Sequence, residues 1–260
     1  MKEGWNLEIS GLIARLTINR PQRLNALNTH LLEELDALLS EIERRKETRV
    51  LIITGSGEKA FIAGADIDQM SSMEPKNAEY LIKVGHRAFS RLEDLAIPTI
   101  AAINGYAIGG GLELALCADF RLCSQNAKLG LPEINLGVIA GWGGPCRLGR
   151  LVGGGRAKEL FLRGRLINPQ EAMTIGLVTE VFPTPEELVR GAQTLADELA
   201  ARAPITMRLD KKIINDVIVR GHGIEAERDA LALAYLFTTA DTREGITAFV
   251  QKRKPEFKGN

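Results

Sequence analysis

The run Val50-Leu51-Ile52-Ile53-Thr54 constrains this chain more than any other feature. It is short, continuously apolar and β-branched, so as a strand it has no polar face to offer water and must be covered on both sides. Its neighbours supply the cover. From Asn28 onward Leu31, Leu35, Leu38 and Ile42 fall on one stripe while Glu33, Glu34, Glu41 and Arg45 fall on the other, which predicts an amphipathic helix. Ahead of it, Ala14, Leu16 and Ile18 alternate with Arg15, Thr17 and Asn19 as in a half-buried strand, ended by Pro21. This strand-helix-strand unit recurs. Leu81, Gly85, Phe89 and Leu92 line a second helix stopped by Pro98, Thr99 to Ile103 is another apolar strand, and a triple glycine opens a further helix. Phe120 to Leu122 and Thr179 to Val181 read as additional short strands. Such alternation predicts an α/β fold.

Toward the end the pattern becomes helical. Asn168-Pro169-Gln170-Glu171 and Thr184-Pro185-Glu186-Glu187 each offer a capping side chain, a proline at the first helical position and a Glu at the third. Beyond them Ile205, Leu209, Ile213 and Val217 recur every four residues, and Asp241 with Glu244 is expected to cap a last helix running toward Arg253. The expected division is an α/β core carrying the site over residues 1–199 and a helical C-terminal region over 200–260, packed on that body or on a neighbouring subunit.

Composition narrows the function. With 33 basic and 33 acidic residues the formal net charge is zero, which argues against a broad basic face for nucleic acid. The three cysteines, Cys117, Cys123 and Cys146, are odd in number and not spaced as a metal pair, so reduced, mostly buried thiols are expected and no metal site. The opening residues lack an apolar signal core, and no stretch approaches the ~20 apolar residues of a membrane span, so a soluble cytoplasmic protein is expected. Gly55-Ser56-Gly57-Glu58-Lys59-Ala60 matches a dinucleotide fingerprint in form, but two more breaker-like positions follow instead of a long crossover helix. A turn is the simpler account. His30, His86 and His222 are scattered with nothing converging on them, which sets histidine-based hydrolysis aside.

Three segments hold more glycine and acid than packing explains. In Phe61-Ile62-Ala63-Gly64-Ala65-Asp66-Ile67, small residues allow close approach of the backbone and Asp66 is placed to cap a helical turn. In Asn104 to Ala115, the run Gly109-Gly110-Gly111 starts a helix whose unpaired N–H groups and positive dipole end favour negative charge. One N–H from each segment would hold an oxygen that becomes an enolate. In Leu129 to Pro145, Glu133 sits in an apolar, glycine-punctuated loop, where poor solvation raises a carboxyl pKa toward general acid or base work. Glu113, one turn past the triple glycine, is a second such acid.

Phe61 to Asp66, Gly109 to Ala115, and Pro132-Glu133 with Gly137 and the glycines of Gly141 to Gly144 resemble the enoyl-CoA hydratase (crotonase) family, and the resemblance extends over essentially the whole chain. It implies a spiral of repeated β-β-α units with a helical C-terminal trimerisation region, as a homotrimer or a dimer of trimers. It implies that Ala63 and Gly110 supply the oxyanion N–H groups and that Glu113 and Glu133 are the catalytic acids. Arg23, Ala26, Gly64, Ala65, Asp66, Ile67, Gly141, Trp142 and Lys254 are the implied contacts to the acyl-CoA thioester.

The implied reaction is reversible addition of water to a trans-2-enoyl-CoA. Glu113 helps water attack C3 and Glu133 delivers a proton to C2. No metal or redox cofactor is implied, because coenzyme A travels with the substrate. The chain departs from the family pattern at Ala140, where proline is common, and at Trp142, where small residues are usual. Trp142 either shapes the acyl pocket or packs beneath the loop. A crotonase-family isomerase and a branched-chain or cyclic enoyl-CoA hydratase are the rival enzymes, and a non-catalytic CoA- or RNA-binding scaffold is the rival from another class. The closing stretch carries Lys252, Arg253, Lys254 and Lys258 against Glu256, a candidate meeting place for nucleotide phosphates.

Overall fold

The apolar run around Ile52 does enter a sheet covered on both faces. The computed structural model describes residues 3–218 and 226–260. An antiparallel pair, β1 (Gly4–Ser10) and β2 (Ile13–Asn19), leads into α1 (Thr29–Arg44). Three similar units follow. The first is β3 (Val50–Gly55), β4 (Ala60–Ile62), α2 (Ile67–Ser71) and α3 (Pro75–Asp94); the second is β5 (Thr99–Ile103), β6 (Tyr106–Ile108) and α4 (Gly110–Cys117). The third is β7 (Phe120–Ser124), β8 (Lys128–Gly130), a 3-10 turn at Glu133–Leu136, α5 (Gly144–Val152) and α6 (Gly154–Arg163). Next come β9 (Leu166–Ile167), α7 (Pro169–Thr174), β10 (Glu180–Phe182) and α8 (Pro185–Ala200), then α9 (Pro204–Ile218), α10 (Ala226–Leu236) and α11 (Ala240–Val250).

In each unit the long strand joins one sheet and the short strand another. The six-stranded sheet runs β1-β2-β3-β5-β7-β10, parallel from β2 onward, and the four-stranded sheet runs β4-β6-β8-β9. This is a spiral of β-β-α units. The dinucleotide-like stretch Gly55–Ala60 is the connection from β3 to β4, held by Asn104, whose Oδ1 accepts from the Gly55 N–H and whose Nδ2 donates to the Gly57 carbonyl.

Successive residues of the central strands serve two cores. Leu51, Ile53, Ala101 and Ile103 face the helices α1 and α3, while Val50, Ile52, Ile100 and Ala102 face α8 through Leu188, Ala192, Ala196 and Ala200. The i, i+4 row of alanines brings α8 close to the sheet. Capping follows the sequence signals: Asn28 accepts from the Leu31 N–H, Asn168 from Glu171 and Thr184 from Glu187. On α1 the buried stripe includes Leu32 and Leu39, and Leu38 is only half-buried, because the helix packs on both β1 and α3.

One expectation about the C-terminal part is corrected. Thr239, not Asp241, caps α11, which runs toward Arg253 and ends at Val250. Asp241 instead accepts from the Lys258 and Gly259 N–H groups at 2.7 and 2.8 Å, so the chain folds back along the helix. Cys117 and Cys123 are buried free thiols, whereas Cys146 is exposed. No helix among the described residues is long and apolar enough to cross a membrane.

Leu188 is fully buried between α8 and the sheet. Leu188→Ala is expected to cost about 2–5 kcal/mol in denaturant unfolding, whereas Val189→Ala on the outer side of α8, 39% exposed, changes stability by no more than about 0.5 kcal/mol.

Candidate active site

Helix α4 is short and every residue in it is buried, so its polar groups matter individually. Gly109 precedes it with φ 56° and ψ −127°, a conformation closed to side-chain-bearing residues. The N–H of Gly110, at the first helical position, has no intrahelical acceptor. One turn on, Glu113 is 1% exposed. Its Oε1 accepts from the N–H of Trp142 at 2.8 Å and of Gly144 at 2.7 Å, the latter being the first residue of α5. Burial pushes the Glu113 pKa up, the Gly144 N–H pulls it down, the nearby Glu133 raises it, and the Trp142 N–H and Arg147 lower it; the result is about 7.

Glu133 opens the 3-10 turn that follows Pro132. Its Oε1 lies over Gly109, 2.7 Å from where a Cβ would stand there, and its Oε2 is buried without a hydrogen-bond partner among the described residues. Burial raises its pKa, opposed by its own backbone N–H. A buried carboxylate oxygen left unpaired is costly, so the group favours its neutral form or awaits a ligand.

Both acids line one cavity of about 110 Å³, together with Ala63, Gly64, Ala65, Ile67, Gly110, Gly141 and Trp142. The structure therefore unites most of the residues singled out in the sequence. Trp142 is 3% exposed and both packs within the core and lines the cavity. Its ring meets Phe89 edge-on at 5.4 Å, its Nε1 donates to the Leu81 carbonyl at 3.3 Å, and it packs where Gly85 and Gly110 lack side chains, forming the cavity floor.

Five of the expected positions stand differently. The Ala63 N–H donates to the Leu24 carbonyl at 3.0 Å, so it is not a free oxyanion donor in this structure. Asp66 is spent on structure: its Oδ1 caps α2 through the Asp68 and Gln69 N–H groups and its Oδ2 pairs with Arg20 at 2.6 Å. Burial works to raise the Asp66 pKa, but Arg20 and those N–H groups outweigh it and hold it low. Arg23 is exposed and paired with Asp68, and the Ala26 carbonyl accepts from Arg20; neither lines the cavity. Lys254 is exposed and away from it, and beside it Arg253 is bound by Glu244, whose pKa Arg253 and the Glu256 N–H pull down to about 2. His30 and His86 are exposed; His222 lies outside the described residues.

Sequence reasoning missed the apolar walls Met70, Ile82, Leu136, Val138 and Ile139. Ile139 is 83% exposed, an apolar side chain open to solvent at the cavity mouth, which only the folded loop makes visible.

A spiral of β-β-α units in which the first turn of a buried helix carries one carboxylate, Glu113, and shares a cavity with a second, half-buried one, Glu133, defines a crotonase-type protein. The family model described as enoyl-CoA hydratase/isomerase matches residues 8–260, and the chain belongs to that family. It is 43% identical to the short-chain-enoyl-CoA hydratase of Clostridium acetobutylicum, covering 96% of this chain and 95% of that one. It is 42% identical to the crotonyl-CoA hydratase of Syntrophomonas wolfei, with 96% of each covered. The crystal structure of enoyl-CoA hydratase from Bacillus anthracis superposes with a TM-score of 0.94 at 38% identity, over 99% of this chain and 100% of that one.

The raised pKa has a stability consequence. Folded Glu113 keeps its proton up to about pH 7, whereas an ordinary glutamate loses it near 4.5. The folded state therefore binds more protons between these values, and the stabilisation present below pH 4.5 is lost as pH rises through 7. Relative to Glu113→Gln, the native protein should lose up to about 3 kcal/mol between pH 4.5 and 8, read by urea unfolding. A difference that stays constant with pH contradicts the assignment.

Proposed function

We propose that this protein is an enoyl-CoA hydratase, adding water reversibly to a trans-2-enoyl-CoA to give a 3-hydroxyacyl-CoA in fatty-acid or related acyl-CoA degradation. The observation that carries this reading is the pair of carboxylates, buried Glu113 and half-buried Glu133, both with raised pKa, on one cavity at the N-terminus of α4. Addition of water needs a base for the attacking water and an acid for the α-carbon. With Oε1 of Glu113 fixed by two N–H groups, its other oxygen is left to take the proton of a water attacking C3. A base poised near 7 suits that work at neutral pH. Glu133, whose pKa burial also raises, delivers the proton to C2 from the same side of the substrate, giving syn addition.

The thioester oxygen gains negative charge during this step. The Gly110 N–H and the positive end of α4 meet it, and Ala63 completes the pair by exchanging the Leu24 carbonyl for the substrate; such contacts often tighten only in the complex. Each donor in such a hole typically contributes about 3 kcal/mol. The chemistry calls for no metal or redox group, and coenzyme A arrives with the substrate. A double-bond isomerase requires only one acid, so the second glutamate on the cavity favours hydration.

The substrate class is a short acyl chain. The cavity is small beside the ~300–1,000 Å³ of typical ligand pockets, and Trp142 closes its floor. The names of the Clostridium and Syntrophomonas relatives agree with this. The assembly is a homotrimer or a dimer of trimers, supported by the apolar side chains that α10 and α11 expose: Leu231, Leu233, Tyr235, Phe249 and Val250. The place of action is the cytoplasm, with neither membrane nor nucleic acid as partner.

Incubation with crotonyl-CoA should lower the conjugated-enoyl absorbance to an equilibrium level, and Glu113→Gln and Glu133→Gln should each lower kcat by about 10²–10⁴-fold while CoA ligands still bind. Unchanged hydration in either variant removes that residue from the mechanism. Trp142→Ala should raise kcat/KM for a 2-octenoyl-CoA relative to crotonyl-CoA by about 10-fold or more; an unaltered ratio excludes Trp142 as the limit on chain length.

A further inference from the structure

Arg147 stands where helix electrostatics disfavours a cation. It lies in the first turn of α5, at the positive end of the macrodipole, and its side chain is only 9% exposed. The guanidinium turns back along its own chain. Nη1 donates to the Trp142 carbonyl at 2.8 Å, Nη2 pairs with Glu93 Oε2 of α3 at 2.7 Å, and Nε is buried without a partner among the described residues. Gly143, at φ 97°, makes this fold-back possible, because a Cβ there would collide with the guanidinium. Glu93 is itself tied down, since Asn215 Nδ2 of α9 donates to its main-chain carbonyl at 3.2 Å.

An unsatisfied buried N–H costs about 1–3 kcal/mol, and the position opposes the dipole, so stabilising α5 does not explain the residue. What it grips is the turn whose Trp142 and Gly144 N–H groups hold Glu113. The groups around this cluster are Glu113, Glu93 and the Cys117 thiol on Arg147, Glu133 across from Glu113, and His86 beside Gly143.

We infer that Arg147, anchored by Glu93, is a positioning residue for hydration: it locks the Trp142-to-Gly144 turn so that both N–H groups stay on Glu113, and it presents its charge to that carboxylate. The kinetic consequence rests on the hydratase reading; the hold on the turn that donates to Glu113 rests on the Arg147 bonds to the Trp142 carbonyl and to Glu93. Arg147 lowers the Glu113 pKa, so its removal should move that titration upward.

The test uses Arg147→Met, Arg147→Lys and Glu93→Gln in the full chain, each with and without Glu113→Gln, so that the infrared difference isolates the Glu113 carboxyl. Arg147→Met should raise the Glu113 titration by about half a pH unit or more and shift the acid limb of kcat the same way. It should also lower kcat for crotonyl-CoA about 10–100-fold with KM changed less than kcat. Arg147→Lys should restore the titration without restoring kcat, since an ammonium supplies the charge but not the two-armed grip. Glu93→Gln should reproduce the loss of kcat in milder form, and it decides the matter if Arg147→Met does not fold. A Glu113 titration and pH profile unmoved in Arg147→Met, or kcat unchanged in Glu93→Gln where Arg147→Met does not fold, overturns the inference, even where melting temperature falls. Absence of hydration by the unaltered protein overturns the hydratase reading instead, and the infrared shift still decides this one.

Discussion

The site depends on one buried contact, the capture of Glu113 Oε1 by the main-chain N–H groups of Trp142 and Gly144. A carboxylate taken out of water needs hydrogen-bond partners, and a helix N-terminus needs acceptors; here each requirement meets the other. The same two bonds link α4 to α5 and fix the direction in which Glu113 faces. They also tie the carboxylate to the pocket, because Trp142, which donates one N–H, is one of the residues lining the cavity. One turn therefore both orients the carboxylate and contributes to the cavity wall.

The energetics of that contact leave Glu113 poised. Burial drives its proton on, the two N–H groups and Arg147 drive it off, and Glu133 opposes a second negative charge nearby. Neither extreme wins, which is the condition a group needs in order to take up a proton and return it near neutrality. Glu133 lacks a partner for one buried oxygen, and burial raises its pKa as well. Two carboxyls in different surroundings on one cavity can divide the acid and base roles.

How much was legible in the sequence follows from the physics of each element. The strands around Ile52 and Ala101 announced themselves because burial on both faces leaves no polar alternation, and Asn168 and Thr184 announced helices through their caps. The strands β4, β6 and β8 did not, since three residues are too few to show a period and they lie in glycine-rich stretches that read as loops. β1 was missed as well, its outer half being exposed. Glu113 and Glu133 stood out as acids among glycines, and the family resemblance supplied their roles. The turn that grips Glu113 lies 29 residues away in sequence, beyond any local pattern. The engagement of Ala63 by Leu24 depends on two successive non-glycine residues, Leu24 and Asn25, at φ 50° and 59°, a conformation that no sequence rule announces. The basic tail looked free in sequence, but Glu244 and Asp241 draw it back onto α11.

In the proposed reaction a thioester carbonyl sits at the N-terminus of α4, between that helix and the two glutamates. The most direct measurement is the infrared spectrum of crotonyl-CoA carrying a ¹³C-labelled carbonyl, bound to a Glu113→Gln, Glu133→Gln double variant that holds substrate without turning it over. Polarisation by the backbone donors predicts a carbonyl stretch displaced to lower wavenumber than in free crotonyl-CoA. A bound carbonyl absorbing at the free position would contradict the account.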